Sequence, residues 1–304
     1  MKVVMNLVKR NVLIFIRDKG AVFFSILSML IVLGLMILFL GNMNSENIVE
    51  VLEKSGNVRD ADKDKANADY LIQVWTLAGI LVTNAVTVAM TVMGNMVKDE
   101  TQNRLASFFI APVKRLEIGL GYIFSAWIIG TSMCLITLAV SQVYLAATGQ
   151  DALAGSACLR LFGMIALNTF VYAAIAYLIA LFIHSESAWS GLLTVIGTLV
   201  GFVGAIYLPM SMLPQKVADV LKCLPVLHGA AMMRVVCTED AIKSTFVGLP
   251  NEFAEGFKES MGITVVMNGE TVTLGAQVTY LVILGVSVIA AAALISRKKA
   301  MRDR

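Results

Sequence analysis

Charged side chains are scarce in this chain of 304 residues. Only 15% of the residues are Asp, Glu, Lys or Arg, while 58% are hydrophobic. A water-soluble domain carries roughly 25% charged residues, because its surface must be hydrated. The shortage excludes a soluble enzyme and indicates that most of the surface faces lipid. The formal net charge of +3 is small, and we expect no nucleic-acid partner.

Residue types that build most catalytic and metal sites are also few. The chain has two histidines, and its four cysteines, Cys134, Cys158, Cys223 and Cys237, show no Cys-x-x-Cys spacing. The pattern favours neither a zinc site nor a thioredoxin-like site, and we expect no bound metal. No Gly-x-x-x-x-Gly-Lys-Ser/Thr loop is present to hold the phosphates of ATP. We therefore expect no catalytic residue and no cofactor bound by this chain.

Six uncharged segments are each long enough to cross about 30 Å of hydrocarbon as a helix. None contains Asp, Glu, Lys, Arg or His, whereas carriers driven by protons or sodium ions generally place such groups or broken helices at mid-membrane. The pattern predicts an all-α integral membrane protein that forms one transmembrane domain over residues 1–304. The predicted spans are 21–40, 70–97, 119–148, 161–183, 187–208 and 275–296.

The charges that flank these segments predict their orientation. An even number of spans puts both termini on one side of the membrane. Residues 1–20 contain five Lys or Arg and one acid, and residues 297–304 also contain five and one. The predicted outer segments 41–69 and 209–274 together hold nine basic and fourteen acidic residues. By the positive-inside rule, we expect both termini in the cytoplasm.

Two segments outside the spans have patterns of their own. In residues 1–20, the polar and basic side chains cluster within about 100° of arc, which predicts an interfacial helix; a plain basic flank is the alternative. Residues 263–267 and 270–274 predict a small outer β-hairpin with a type I′ turn at Asn268-Gly269. Cys223 and Cys237 both fall in the outer region, and the sequence leaves a bridge between them open.

A polar stripe follows one face of the predicted second span. In a helix its members fall within about 120° of arc over roughly six turns. They are Gln73, Thr76, Thr83, Asn84, Thr87, Thr91 and Asn95. A polar path for a substrate and hydrogen bonds that tie helices together are equally open interpretations. On the fifth span, Thr194 and Thr198 belong to a stripe of small residues that favours tight helix packing.

The predicted cytoplasmic segment 98–118 connects spans two and three. Leu105, Phe108 and Phe109 form an apolar ridge beside charged residues, and the pattern ends at Pro112. It predicts an amphipathic helix that lies on the bilayer or docks in the groove of a partner.

Three motifs, in this order, resemble those of type-2 ABC exporter permeases. Residues 6–19 are similar to the family's connecting helix. Residues 99–115 (DETQNRLASFFIAPVKR) resemble its cytoplasmic loop, although Asn103 stands where Gly is usual, and Phe108 and Phe109 replace a Leu pair. Residues 208–214 (LPMSMLP), followed by 224–228 (LPVLH) and Arg234, resemble its outer motif. The resemblance covers essentially the whole chain.

The resemblance implies a half-transporter membrane domain in the cell membrane. ATP and Mg would be bound by a separate ATP-binding-cassette ATPase subunit, and a second permease subunit, identical or different, would complete the complex. Spans two and five would line the substrate pathway. The residues that couple to the ATPase would be Asp99, Glu100, Arg104, Leu105, Phe108, Phe109 and Pro112. Re-entrant helices over 209–237 would form an outer lid that includes Pro209, Leu213, Pro214, Pro225, His228 and Arg234.

An uncharged and weakly polar path suits an amphipathic or lipophilic substrate, so the main hypothesis is its ATP-dependent export. One alternative is an ion-coupled secondary transporter, which lacks the expected intramembrane carboxylate. The other is a sensor or scaffold subunit that lies in the lipid bilayer and transports no substrate. The amphipathic segment 98–118 argues against that second alternative.

Overall fold

A computed structural model describes residues 2–35, 41–54, 60–104, 114–267 and 269–302. Within these ranges the chain is almost entirely helical, as predicted, with one two-stranded sheet and a 3-10 turn at Met210–Met212. The α-helices are α1 (Lys2–Arg17), α2 (Lys19–Leu35), α3 (Gly41–Lys54), α4 (Ala61–Thr101), α5 (Arg115–Ala147), α6 (Gly155–Ala180), α7 (Glu186–Val203), α8 (Gln215–Lys222), α9 (Pro225–Cys237), α10 (Glu239–Thr245), α11 (Asn251–Ser260) and α12 (Leu274–Arg302).

Five of these helices, α4, α5, α6, α7 and α12, are long and apolar enough to cross a membrane. They correspond to the predicted spans two to six. The predicted first span corresponds to α2, whose 17 residues end at Leu35; its predicted remainder lies outside the described residues. Helices α8 and α9 meet at a bend of 84° and together are apolar enough for a broken span or a re-entrant loop. This is the shape expected of the re-entrant outer helices.

Helix α4 is the central element of the fold. The predicted span begins at position 70, whereas α4 begins earlier, at Ala61. The helix starts there because the side chain of Asp60 caps it, accepting hydrogen bonds from the backbone N–H groups of Asp62 and Lys63. The most apolar 18-residue stretch of α4 is 83% buried, whereas the corresponding stretches of α7 and α12 are each 17% buried. Helices α3, α5, α6, α7 and α9 all pack on it. The predicted outer segment 41–69 is helical over most of its length, because it contains α3 and the beginning of α4.

Helix α1 is amphipathic, as its sequence predicts. Leu7, Val8 and Phe15 are buried, while Lys2 and Lys9 are exposed. The buried face packs on α5, where a Cβ atom on Gly121 would lie 2.5 Å from a methyl carbon of Leu7. Glycine at this position thus allows the two helices to approach closely. The location of α1 at the membrane surface stays a prediction.

The predicted hairpin is present but short. Its strands are β1 (Val266–Met267) and β2 (Glu270–Thr271), antiparallel, with Val266 opposite Thr271. The φ angle of Gly269 is 82°, a left-handed conformation that suits glycine in such a turn.

All four cysteines are free, and Cys237 is buried while Cys223 is exposed. The structure therefore holds no bridge between these two thiols.

One buried cation organises the end of the helices at which α7 meets α9. The side chain of Arg234, on α9, is fully buried. Its Nη2 donates hydrogen bonds to the carbonyl oxygens of Gly204 and Ala205 at 3.0 and 2.7 Å, and its Nη1 donates to that of Gly262 at 3.1 Å. Because carbonyls at the C-terminal end of a helix carry partial negative charge, the guanidinium stabilises the end of α7.

The indole of Trp75, on α4, covers the same guanidinium. The guanidinium carbon of Arg234 lies 4.6 Å from the centroid of the indole, a cation–π contact. Trp75 Nε1 in turn donates a 2.9 Å hydrogen bond to the carbonyl oxygen of Met261. Within the described part of the chain, no carboxylate pairs with Arg234. Backbone oxygens and an aromatic face thus compensate for its burial.

We expect Arg234→Met to lower the free energy of unfolding by about 3–5 kcal/mol, because it leaves three buried carbonyls without their donor. The measurement is denaturation of the purified protein followed by circular dichroism. Arg160→Met is the matched control: it breaks a 2.9 Å pair with Glu239 whose side chains are 51% and 39% exposed. Such a pair contributes about 0–1 kcal/mol. Equal losses in the two variants would contradict the role given to Arg234.

Candidate transport pathway and coupling surface

One strip of α4 stays partly open on a helix that is otherwise buried. Between positions 71 and 97, the half-buried residues are Gln73, Thr87, Thr91, Gly94 and Asn95, and all others are buried. At 100° per residue these five positions fall within about 100° of arc. Four of them belong to the polar stripe predicted from the sequence. The opening along α4 therefore coincides with that stripe.

The threonines of the stripe satisfy their hydroxyl groups on their own helix. Thr83, Thr87 and Thr91 donate to the carbonyl oxygens four residues earlier, at 3.2, 2.9 and 2.8 Å. These bonds leave the methyl groups and the hydroxyl lone pairs on the helix surface, which is therefore weakly polar and uncharged.

Other members of the stripe lie deeper. Asn84 is 4% exposed, and its Nδ2 donates a 2.7 Å hydrogen bond to the hydroxyl of Thr137 on α5. Thr76 and Thr83 are 6% and 7% exposed. The helix-tying interpretation thus describes Asn84, whereas Thr87 and Thr91 lie along the opening. That a substrate moves along Thr87 and Thr91 stays a prediction.

The small-residue face of α7 is largely open. Thr194 and Thr198 are exposed, and their hydroxyls donate to the carbonyl oxygens of Ser190 and Thr194 at 3.0 and 2.9 Å. A Cβ atom on Gly197 would meet nothing within 4 Å. In this protomer, the predicted tight packing is confined to the end of the stripe, where Gly201 lies against the ring of Tyr207.

Two close contacts hold α7 beside α4. A Cβ atom on Gly94 would lie 2.9 Å from Nε1 of Trp189, and one on Gly79 would lie 2.8 Å from a methyl carbon of Ile206. Because the higher-numbered residue of α4 meets the lower-numbered residue of the α7 segment, the two helices run antiparallel. Gly94 belongs to the strip, so α7 runs along one edge of it. At 100° per residue, Thr194 and Thr198 lie about 140° and about 180° from Trp189, so the polar face of α7 points away from α4.

Asp99, at the end of α4, is the centre of a buried ionic cluster. Arg10 donates from Nη1 and Nη2 to the two carboxylate oxygens at 2.6 and 2.7 Å, a bidentate pair. The hydroxyl of Tyr122 on α5 donates to Asp99 Oδ2 at 2.6 Å, and the Asp99 side chain is 3% exposed. Hydrogen bonding to Asp99 raises the pKa of the Arg10 guanidinium, with partial opposition from burial. The cluster joins α1, α4 and α5.

Asn11 adds a second polar tie between α1 and α5. It interrupts the apolar face in the sequence, yet it is fully buried, and its Nδ2 donates a 3.1 Å hydrogen bond to Ser125 Oγ. Neither this contact nor the Arg10–Asp99 contact was predicted from the sequence. The available signals were an amide within an apolar helix face and an acid directly after an uncharged span.

The opposite side of the α4 terminus contacts the start of α7. Glu100 Oε1 lies 3.0 Å from Nδ1 of His184, which is in the turn before α7. Thr101 and Gln102 donate to Glu186 Oε1 at 3.0 and 3.3 Å. The end of α4 is thus held to α1 and α5 by Asp99 and to α7 by the next three residues.

The predicted coupling segment begins where α4 ends. Asn103 has a φ angle of 55°, the left-handed conformation that commonly ends a helix and that glycine or asparagine adopts most readily. Asparagine therefore suits the position at which the family usually has Gly. Arg104 Nη1 lies 3.7 Å from Asp99 Oδ1, and its side chain is 56% exposed. Leu105, Phe108, Phe109 and Pro112 lie outside the described residues.

The predicted lid residues surround the α8–α9 bend. Leu213 and Pro225 are half-buried, Pro209 is buried, and Pro214 is exposed. His228 Nε2 lies 2.8 Å from the carbonyl oxygen of Lys222 across the bend, and its ring centroid lies 4.8 Å from that of Tyr280. His228 thus connects α9 to the end of α8 by a hydrogen bond, and its role in a lid stays a prediction. The described residues contain no group of three His, Cys, Asp or Glu side chains that could hold a metal ion.

We expect Tyr122→Phe to reduce the free energy of unfolding by about 1.5–3 kcal/mol, because it removes one hydrogen bond to a buried carboxylate. Limited trypsin digestion should then cleave faster after Lys9 and Arg10, since the attachment of α1 is weakened. Tyr280→Phe, which removes a bond to the carbonyl of Cys223 near the exposed bend, is the control. Unchanged cleavage in Tyr122→Phe would show that Asp99 does not hold α1.

The sequence matches the family described as ABC-2 family transporter protein over residues 49–294. No curated protein matches it. The family match runs from α3 to α12 and includes the α4 strip, the α7 face and the α8–α9 bend. ABC-2 permeases are transport subunits that associate with an ATP-binding-cassette ATPase. The chain belongs to the ABC-2 permease family and is a multi-pass membrane subunit of an ABC transporter.

Proposed function

We propose that this chain is the permease of an exporter, and that it moves an amphipathic or lipophilic substrate outward with ATP hydrolysed by a partner subunit. The observation that carries the proposal is the uncharged, weakly polar strip of α4, which stays partly open on an otherwise buried helix and has α7 along one edge. An amphipathic molecule could slide along such a surface without leaving a charge unpaired in a low-dielectric environment.

A second permease subunit, identical or different, would cover the two open faces. The most apolar stretch of α7 is 17% buried, and the polar side chains of this helix are exposed when the chain is alone. A facing copy would turn the strip into an enclosed path, with Gln73, Thr87, Thr91, Asn95, Thr194 and Thr198 along its wall. In this arrangement, the chain lies in the cell membrane and both of its termini are in the cytoplasm. ATP and Mg bind only to the partner ATPase.

The coupling role rests on the placement of the α4 terminus. Asp99 and Glu100 bind α1 and the start of α7 at the point where the segment 105–113 leaves α4. A force on that segment would therefore reach α4 and α7 together. The apolar ridge predicted for Leu105, Phe108 and Phe109 would supply the surface that a groove on the ATPase binds.

The coupling role predicts that Phe108→Asp or Phe109→Asp prevents stimulation of the partner ATPase, because a carboxylate buried in a docking groove costs several kcal/mol unless it is paired. The measurement is ATP hydrolysis by the reconstituted complex; the chain alone should hydrolyse no ATP. Leu116→Asp, at a position of the same predicted cytoplasmic segment that is 41% exposed and outside the ridge, is the matched control and should leave activity unchanged. Normal stimulation in both ridge variants would exclude docking through this segment.

The pathway role predicts a periodic pattern of thiol labelling along α4. Single cysteines at positions 76–95, in a background without the four native thiols, should react with a small polar reagent with a period near 3.6 residues. Reaction should peak at positions 83, 87 and 91, with 83 the slowest of the three because it is buried here. Ala78, Ala85 and Ala89 are all 0% exposed and should give the minima. A flat profile, or a maximum at 85 and 89, would place the pathway on another face.

A further inference from the structure

Two neighbouring cavities lie in the region 209–274, away from the α4 strip. The larger, of about 400 Å³, is lined mainly by apolar side chains and is called the apolar chamber. The smaller, of about 310 Å³, has polar groups around it and is called the polar chamber. Both volumes fall in the range of about 300–1,000 Å³ that small-molecule sites occupy. Ser211, Gly256 and Ser260 line both chambers, so the two are contiguous.

The apolar chamber is built from aromatic side chains and methionines. Phe246 and Phe257 pack with their ring centroids 5.4 Å apart on one wall. Phe253 and Met212, which are 38% and 55% exposed, flank the opening. Ile48, Pro209 and Met261 complete the apolar lining, which also includes the exposed side chains of Asn47 and Glu252. Such a surface binds hydrocarbon, because apolar area is removed from water.

The polar chamber places two opposite charges on its lining. Lys222 on α8 has a side chain that is 20% exposed, and its Nζ lies 3.7 Å from Oδ1 of Asp219, which is too far for a hydrogen bond. Glu259 on α11 lines the same chamber. Gln215 and Thr264 add neutral hydrogen-bonding groups. An ammonium and a carboxylate on one lining match a head group that carries both signs of charge.

Helix α11 lines both chambers, and Gly256 lies where the two linings overlap. No residue of α11 is buried, so the helix lies over the chambers without being part of the hydrophobic core. A Cβ atom on Gly256 would meet nothing within 4 Å. Glycine weakens a helix relative to alanine, and here it leaves space between the chambers. The two cavities can therefore be occupied by one molecule.

We propose that the joined chambers bind an amphipathic lipid with a single acyl chain and a zwitterionic head group. The chain lies in the apolar chamber, the anionic part of the head group faces Lys222, and the cationic part faces Glu259. The site goes beyond the proposed export function and does not rest on it, because binding here requires neither ATP nor a partner subunit.

The test uses the purified full chain in nanodiscs of phosphatidylglycerol. The probe is lysophosphatidylcholine with a photoreactive diazirine on its acyl chain, and mass spectrometry locates and quantifies the cross-links. We expect saturable labelling of the peptides that contain Met212 and Phe253. The alternative is general contact with membrane lipid, in which labelling grows in proportion to the probe and is spread over lipid-facing helices. That outcome would overturn the proposal.

Gly256→Leu fills the junction without strain, since open space surrounds that position in a helix. We expect it to weaken probe binding by about tenfold or more while thermal stability is kept or raised. Gly275→Leu is the matched control: it has equally open surroundings and lines neither chamber. Unchanged binding in Gly256→Leu would refute the site.

The head group is tested by competition with lysophosphatidylcholine and with a monoacylglycerol of the same chain length. The zwitterionic lipid should compete better with the unaltered protein, and the advantage should be lost in Lys222→Gln. Lys216→Gln is the control, because Lys216 is exposed on the same helix and lines neither chamber. Equal competition by the two lipids with the unaltered protein would contradict the assignment of the polar chamber.

Discussion

Arg234 holds a positive charge on a fully buried side chain, and the packing of α4, α7 and α9 around it depends on how that charge is compensated. Removing a guanidinium from water is costly, so its donors must meet acceptors with good geometry. Those acceptors are the last carbonyls of α7 and the carbonyl of Gly262, with Trp75 of α4 over the face of the group. Three remote parts of the chain are thereby held around α9.

The C-terminal end of α4 is held by charges of another kind. Asp99 receives a bidentate pair from Arg10 and a hydroxyl from Tyr122, while Glu100 and the two residues after it contact the turn before α7 and its first residue. Between the two ends, the threonines of α4 bond to their own backbone. Asn84 also ties the middle of α4 to α5, so the helix is held along its length and only one weakly polar strip stays partly open. This strip is the surface on which the proposed substrate pathway rests.

The spans, the hairpin and the polar stripe could be predicted because each depends on neighbours in sequence. Hydrophobic length, alternation around a turn and the 3.6-residue period are local properties. The part played by Asn84 could not be predicted, since it depends on Thr137, 53 residues later. The Arg10–Asp99 pair joins residues 89 positions apart. Asn11, which interrupts the amphipathic pattern, is a buried tie because Ser125 lies opposite it.

The sequence by itself determined that this is a helical membrane protein of the ABC-2 type and which face of the second span is polar. Lipid requires long uncharged helices, and that requirement is visible in composition alone. Only the tertiary structure decided which polar residues tie helices and which line an opening. It also decided that Arg234 binds backbone carbonyls instead of an acid and that two chambers meet at Gly256. These features depend on distances between remote segments, which helical periodicity does not specify.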